Sequence, residues 1–280
     1  VSASGGAGWT AKSDSSWITV TGGTGGIDSF ETHIITTSVD GALPVYATDV
    51  DGDGDMDVLS ASSQGDTIVW YENDGSENFT EHKITTSADE ARSVYAVDVD
   101  SDGDMDVLSA SSGDDTIAWY ENDGSENFTT HTISTSANDA RFVNVADVDG
   151  DGDLDVLSAS NGDDTVAWYE NDGSENFTAH IITNNADGAS SVATADLDGD
   201  GDMDVLSASE NDHTIAWYEN DGSQSFTKHS VNTSAIGAHS VKAVDLDGDG
   251  DMDVLSASYV DDTLAWYEND GNENFSTHKI

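Results

Sequence analysis

The chain contains no cysteine, so neither a disulfide nor a thiolate metal site is available to it. Basic residues are almost as scarce: Lys and Arg total 7 against 57 Asp and Glu, a formal charge of −50. Nucleic acid and anionic membrane both need a basic face, so this surface repels them and points towards cations. No apolar run approaches the ~20 residues of a membrane span, which argues against membrane insertion. Nor does any segment hold a 3.6-residue apolar stripe over three turns, which argues against helices. No signal peptide stands at Val1, as at the mature end of a secreted protein or in a cytosolic one. High acidity also suits a salt-adapted protein, although the acids are concentrated in particular places.

Those places recur. Residues 49–57 read DVDGDGDMD, five aspartates in nine positions, and near-copies start at Asp98, Asp147, Asp196 and Asp245, each 49 residues after the last. Trp70, Trp119, Trp168, Trp217 and Trp266 keep the same step, and so do six phenylalanines from Phe30 to Phe275. A fixed period near 50 residues marks stacked supersecondary units, none able to bury its own face alone. Within a unit, VYATDV, DVLSAS, DTIVWYEN and NFTEHKITT alternate apolar and polar residues, with Gly, Asn and Asp clustered between them. The pattern predicts an all-β fold, a β-propeller of tandem four-stranded blades. A β-helix needs shorter rungs, and an immunoglobulin-like sandwich about 100 residues per domain.

The acidic loop needs a partner. Two like charges about 4 Å apart cost roughly 4 kcal/mol at an effective dielectric near 20, and seven basic residues cannot neutralise five such loops. A hard divalent cation can, and flexible all-oxygen ligation favours Ca²⁺ over Mg²⁺. Gly52 and Gly54 let the backbone wrap tightly. By spacing, Asp49, Asp51, Asp53 and Asp57 offer side-chain oxygens, and Asp55 its backbone carbonyl. An EF-hand is excluded, because its twelfth position needs Glu where this loop has Ser60, and its flanks are helices.

The motif D-x-D-x-D-G-x-x-D between two strands, in tandem units of this length, resembles the FG-GAP/VCBS repeats. These build propeller blades in integrin α-chains, in some lectins and in many secreted bacterial proteins. The resemblance covers residues 27–280 and implies five Ca²⁺ sites, one in the hairpin between the first and second strands of each blade. The implied ligands are Asp49, Asp51, Asp53, Asp55 and Asp57, then Asp98, Asp100, Asp102, Asp104 and Asp106, with Ser101 in place of a glycine. The third set is Asp147, Asp149, Asp151, Asp153 and Asp155, and the fourth Asp196, Asp198, Asp200, Asp202 and Asp204. The fifth is Asp245, Asp247, Asp249, Asp251 and Asp253. The Phe-Gly and Gly-Ala-Pro signatures are missing, which favours the VCBS-like branch.

The recurrent Trp reads as inter-blade packing before a sugar-stacking platform. The recurrent His (His33, His82, His131, His180, His229, His278) reads as a strand-surface, hydrogen-bonding residue. Asn78, Asn127, Asn176, Asn232 and Asn274 open N-x-S/T sequons, which read as hairpin residues before glycan acceptors. Residues 1–26 lack the acidic loop. GWTAKSDSSWITV resembles the Trp-bearing strands of BACON domains, yet register also places it as a degenerate sixth blade. A closed ring of six sheets is the favoured expectation, with five blades plus an appendage as the alternative. No nucleophile–base pair is visible, so no enzyme activity is expected. The expected role is a secreted, extracellular or cell-surface bacterial module that binds glycan or a surface protein. The rivals are a filament or surface-layer subunit self-associating through the head, and the propeller of a polysaccharide-degrading enzyme.

Overall fold

A computed structural model describes residues 32–279. The chain divides into two compact units, Val1–Thr37 and Ser38–Ile280, and the second carries all the strands described below. The expectations for residues 1–26, degenerate blade or appendage, lie outside the described residues.

Twenty strands follow one another in five antiparallel sheets of four, each sheet in sequence order. The first sheet is β1 (Ala42–Thr48), β2 (Asp57–Ser62), β3 (Thr67–Asn73) and β4 (Phe79–Thr85), and the second β5 (Ala91–Val97), β6 (Asp106–Ser111), β7 (Thr116–Asn122) and β8 (Phe128–Ser134). The third comprises β9 (Ala140–Ala146), β10 (Asp155–Ser160), β11 (Thr165–Asn171) and β12 (Phe177–Thr183). The fourth comprises β13 (Ala189–Ala195), β14 (Asp204–Ser209), β15 (Thr214–Asn220) and β16 (Phe226–Asn232). The fifth comprises β17 (Ala238–Val244), β18 (Asp253–Ser258), β19 (Thr263–Asn269) and β20 (Phe275–Lys279). Among the described residues there is no helix, as the missing 3.6-residue stripe implies.

Register gives each sheet two distinct faces. Leu59 pairs with Trp70, and Ala61 with Ile68, on one face, while Val58 pairs with Tyr71 on the other. Strands put alternate side chains on opposite faces, so the motif DVLSAS followed by T-I-x-W-Y fixes both surfaces at once. The Leu/Ala/Ile/Trp face of one sheet packs on the Val/Ala/Tyr face of the next. Thus Leu59, Ala61, Ile68 and Trp70 meet Ala91, Val94, Val107, Ala118 and Tyr120. The same seam recurs between the second and third, third and fourth, and fourth and fifth sheets. The first strands of neighbouring sheets run side by side, close enough for Val143 N to donate to Ser93 Oγ (3.3 Å) and Val241 N to Ser191 Oγ (3.4 Å).

The arrangement is propeller-like, and the five described sheets do not close into a ring. The favoured six-sheet ring rests on the head. The sixth copy of the outer-strand motif forms no strand over residues 32–37, where Ile34 is 72% exposed.

Candidate metal centres

Each acidic loop joins the first strand of a sheet to the second and folds by hydrogen-bonding to its own carboxylates. Asp49 accepts from Gly52 N (2.8 Å) and Gly54 N (2.9 Å), Asp51 from Asp53 N (3.1 Å), and Asp53 from Asp55 N (2.8 Å). Both glycines stand in the left-handed region, at φ 75° and 97°. In the second loop Ser101 takes that conformation at φ 63°. There Asp98 Oδ1 accepts from Asp102 N at 3.1 Å.

The fifth aspartate does something spacing alone did not reveal. Asp57 is fully buried, with one oxygen accepting from Val50 N (2.9 Å) and the other from Asn73 N (2.8 Å). It therefore ties the acidic loop to the end of β3. Asp106, Asp155, Asp204 and Asp253 are equally buried and make the same pair of bonds. Burial outweighs these donors and pushes Asp57, Asp106 and Asp204 up to about 6, and Asp155 up to about 7. Desolvation disfavours the charged form unless a cation stands close by.

Carboxylates converge in all five loops. Oxygens of Asp98, Asp100 and Asp106 lie within 4.8 Å of one another, as do those of Asp147, Asp149 and Asp155, of Asp196, Asp198 and Asp204, and of Asp245, Asp247 and Asp253. In the first loop the group is Asp49, Asp51 and Asp53. The fourth aspartate of each loop turns away, as expected of a residue offering only its carbonyl. Asp55 lies so close to Gly75 in the β3–β4 turn that a Cβ there would collide with its carboxylate, and Asp104, Asp153, Asp202 and Asp251 sit likewise against Gly124, Gly173, Gly222 and Gly271. Oxygen donors, partial burial and raised carboxyl pKa values together fit a hard divalent cation. Such an ion would supply the positive charge that lets these carboxylates stay ionised side by side.

Three further positions recur. Asn122 Nδ2 donates to Met105 O (3.1 Å) in its own sheet and to Val50 O (3.4 Å) in the preceding acidic loop. Asn220 reaches Val148 O (3.0 Å) and Asn269 reaches Leu197 O (2.9 Å) in the same way. The asparagine of WYEN thus pins neighbouring sheets in three of the units, and an Asn at one offset in every unit was its signal in the sequence. The Trp expectation holds: Trp70, Trp119, Trp168 and Trp217 are at most 1% exposed inside the seams. The tyrosines on the other face pack too, and Tyr120 OH shares a hydrogen bond with Ser109 Oγ (3.2 Å).

Each recurrent His from His82 onward stacks on the Trp opposite it and bonds a Glu from the same strand as that Trp. His82 lies 4.5 Å from the Trp70 ring centroid and 2.8 Å from Glu72 Oε2. His131, His180, His229 and His278 repeat the arrangement with Glu121, Glu170, Glu219 and Glu268. The sequon residue Asn78 gives its side-chain amide to Asp74 Oδ2 (2.8 Å) in the β3–β4 turn, as a hairpin residue does.

Five sheets seamed face to face, each with a carboxylate loop at one end of its inner hairpin, define a β-propeller-like repeat protein with acidic loops. The sequence matches the FG-GAP-like repeat over residues 49–109, 98–158, 147–207 and 196–256, and the chain belongs to that family. No curated protein matches. Among solved structures, a functionally unknown protein from Desulfotomaculum acetoxidans aligns with TM-score 0.60 at 13% identity, covering 88% of this chain and 70% of that one. A protein from Lactobacillus plantarum aligns at 0.56 and 15% identity, covering 80% and 67%. A rhamnogalacturonan lyase aligns at 0.51 and 14%, and this chain covers 84% of itself but only 50% of the lyase. At these identities the likeness is one of fold.

Proposed function

We propose that this chain is a Ca²⁺-stabilised propeller that works outside the cell as a binding or adhesion module for a glycan or a surface protein. One observation supports this reading above others: the units are nearly identical where they build metal loops and seams, and differ where the inner strands begin. At the second residue of those strands stand Leu43, Arg92, Arg141, Ser190 and His239. These positions lie at the opposite end of the strands from the acidic loops. Both arginines of the chain are here, held in place by neighbours. Arg92 donates to Ser112 Oγ (3.0 Å) and Glu90 (3.0 Å), and Arg141 makes a two-point contact with Asp139 (2.8 and 2.7 Å). His239 meets Glu210 at 2.7 Å.

Paired guanidinium and carboxylate groups offer fixed donors and acceptors, the chemistry that reads hydroxyl-rich or peptide ligands. The metal ions are scaffold, because their loops lie at the other strand end and their most buried ligand is consumed in holding two strands. Affinity per ion on the order of 10⁻⁴ to 10⁻³ M suits an exterior where calcium is plentiful. The reading assigns no catalytic group. A glycan array in calcium buffer, comparing the native chain with an Arg92→Ala/Arg141→Ala variant, tests it. Selective binding that falls at least about tenfold in the variant is expected. Equal binding by both would remove these residues from the site, and cleavage of a bound polymer would move the protein among the enzymes.

A further inference from the structure

The turn before the last strand reads DGSEN in the first three sheets, DGSQS in the fourth and DGNEN in the fifth. Its fourth residue is Glu77, Glu126, Glu175, Gln224 or Glu273, and all five stand in the left-handed region at φ 62–63°. Glycine or asparagine would hold that conformation with less strain, so the turn alone does not call for a long acidic side chain. Strain kept at one position in every unit points to a task for that side chain.

The fourth sheet shows where the side chain goes. Gln224 Nε2 donates to Asp149 Oδ2 (3.5 Å) across the seam, in the acidic loop of the third sheet. Asp149 converges there with Asp147 and Asp155. Asn220, four residues before Gln224, ties the same hairpin to Val148 O of that loop (3.0 Å). The placement repeats elsewhere. Asp123, Asp172 and Asp270 each accept from the backbone N–H two residues on at 2.9 Å, as Asp221 does. Asn122 and Asn269 make the equivalent ties to Val50 O and Leu197 O. At the same 75-residue offset, the counterpart of Asp149 is Asp51 for Glu126, Asp100 for Glu175 and Asp198 for Glu273. A carboxylate cannot donate to an aspartate as the amide does, and two carboxylates meet only with a cation between them.

We propose that Glu126, Glu175 and Glu273 each add a carboxylate to the ion held by the acidic loop of the preceding sheet, so that one Ca²⁺ is ligated from two sheets. The proposal rests on the reading of the loops as calcium sites. Ca²⁺ takes about six to eight oxygens. Both oxygens of Asp57, Asp106 and Asp204 already accept backbone N–H groups, which leaves coordination open to an outside ligand. The loop folds within one sheet, and its ion is shared with the next. The third loop faces the neutral Gln224, so its site is weaker than the first, second and fourth.

Competition for calcium between the full chain and a chromophoric chelator tests this, with folding checked by circular dichroism in excess calcium. Replacing Glu126, Glu175 and Glu273 together by Asp keeps every charge and shortens each arm by one methylene. Three sites should then weaken by at least about tenfold, as when a metal loses a positioned partner. Gln224→Glu should strengthen one site by a similar factor. The melting point of the Asp variant in chelator should equal that of the native chain, because the exposed turn retains its acid. Calcium binding by the Asp variant that superimposes on the native curve would overturn the proposal, since a diffuse acidic field needs only the charge. So would Gln224→Glu that leaves affinity unchanged or lowered. A native chain that takes up no calcium would overturn the reading of the loops as well.

Discussion

The third and fifth sheets are built from nearly the same words and live in different surroundings. Val166 and Trp168 in the third are at most 1% exposed, while in the fifth Leu264 is 56% exposed and Trp266 half-buried. Yet Asp155 and Asp253 are both fully buried, each accepting two backbone N–H bonds of 2.8 to 3.0 Å. The carboxylate loop is a property of one sheet, complete wherever its strands form. The apolar core is a property of pairs, and the face of the fifth sheet that carries Leu264 lacks it among the described residues. In repeat architectures stability is a sum of unit terms and nearest-neighbour terms, and here the two terms sit in different parts of each unit.

The comparison breaks most severely when the term shared by all sheets is removed. Chelation should lower the melting temperature of the whole chain, since a ligand that binds only the native state stabilises it by mass action. At free calcium 100 times Kd, each site contributes about 2.7 kcal/mol. An unchanged calorimetric trace in chelator would refute this. In chelator the pH dependence should also invert. The raised carboxyls, at about 6 and about 7 against an ordinary 3.8, mean that the native state holds protons the unfolded chain has released. Metal-free stability should therefore fall as pH rises from about 4 to about 7. Stabilisation by calcium should grow over the same range, because the ion replaces those protons. Melting curves at pH 5 and pH 8, with and without calcium, give the sign.

Next comes the neighbour term. Trp168→Ala should cost about 3–5 kcal/mol, the usual range for emptying a packed site. Trp266→Ala should cost no more than about 2 kcal/mol, because no sheet surrounds the space it leaves. Denaturant titration of both variants decides it, and equal losses would show the fifth face covered in solution. A smaller gap is expected for the pins. Asn220→Ala should cost about 1–3 kcal/mol by orphaning the buried Val148 carbonyl. Asn73→Ala should cost less, since its amide donates only to Met56 O in its own sheet among the described residues. The smallest effect separates two loops. Ser101→Gly should stabilise by roughly 1 kcal/mol, relieving a left-handed serine where the other loops have glycine.

Much of this was legible before any coordinates. The 49-residue step gave the units, period-two alternation gave the strands, and the crowding of Asp49, Asp51 and Asp53 marked a group that could hold an ion. The packing of Trp70 and the outward turn of Asp55 also followed from position. Hidden features share a cause: they depend on strand register or on the neighbouring sheet. Asp57 could be ranked only as one more ligand until β3 was seen to end beside it. The pin from Asn122 spans 72 residues of sequence to Val50, and Glu72 meets His82 only because β3 and β4 pair in that frame. Ring closure was unreadable for the same reason, since nothing in a repeat records how many copies complete a turn.

Val50 is gripped twice, its N–H by the carboxylate of Asp57 within the sheet and its carbonyl by the amide of Asn122 from the sheet that follows. Val148 and Leu197 are held in the same fashion. The backbone of one residue thus joins the acidic loop to the next sheet. An ion held by one loop would therefore be felt at the seat of the following sheet, across a single shared residue.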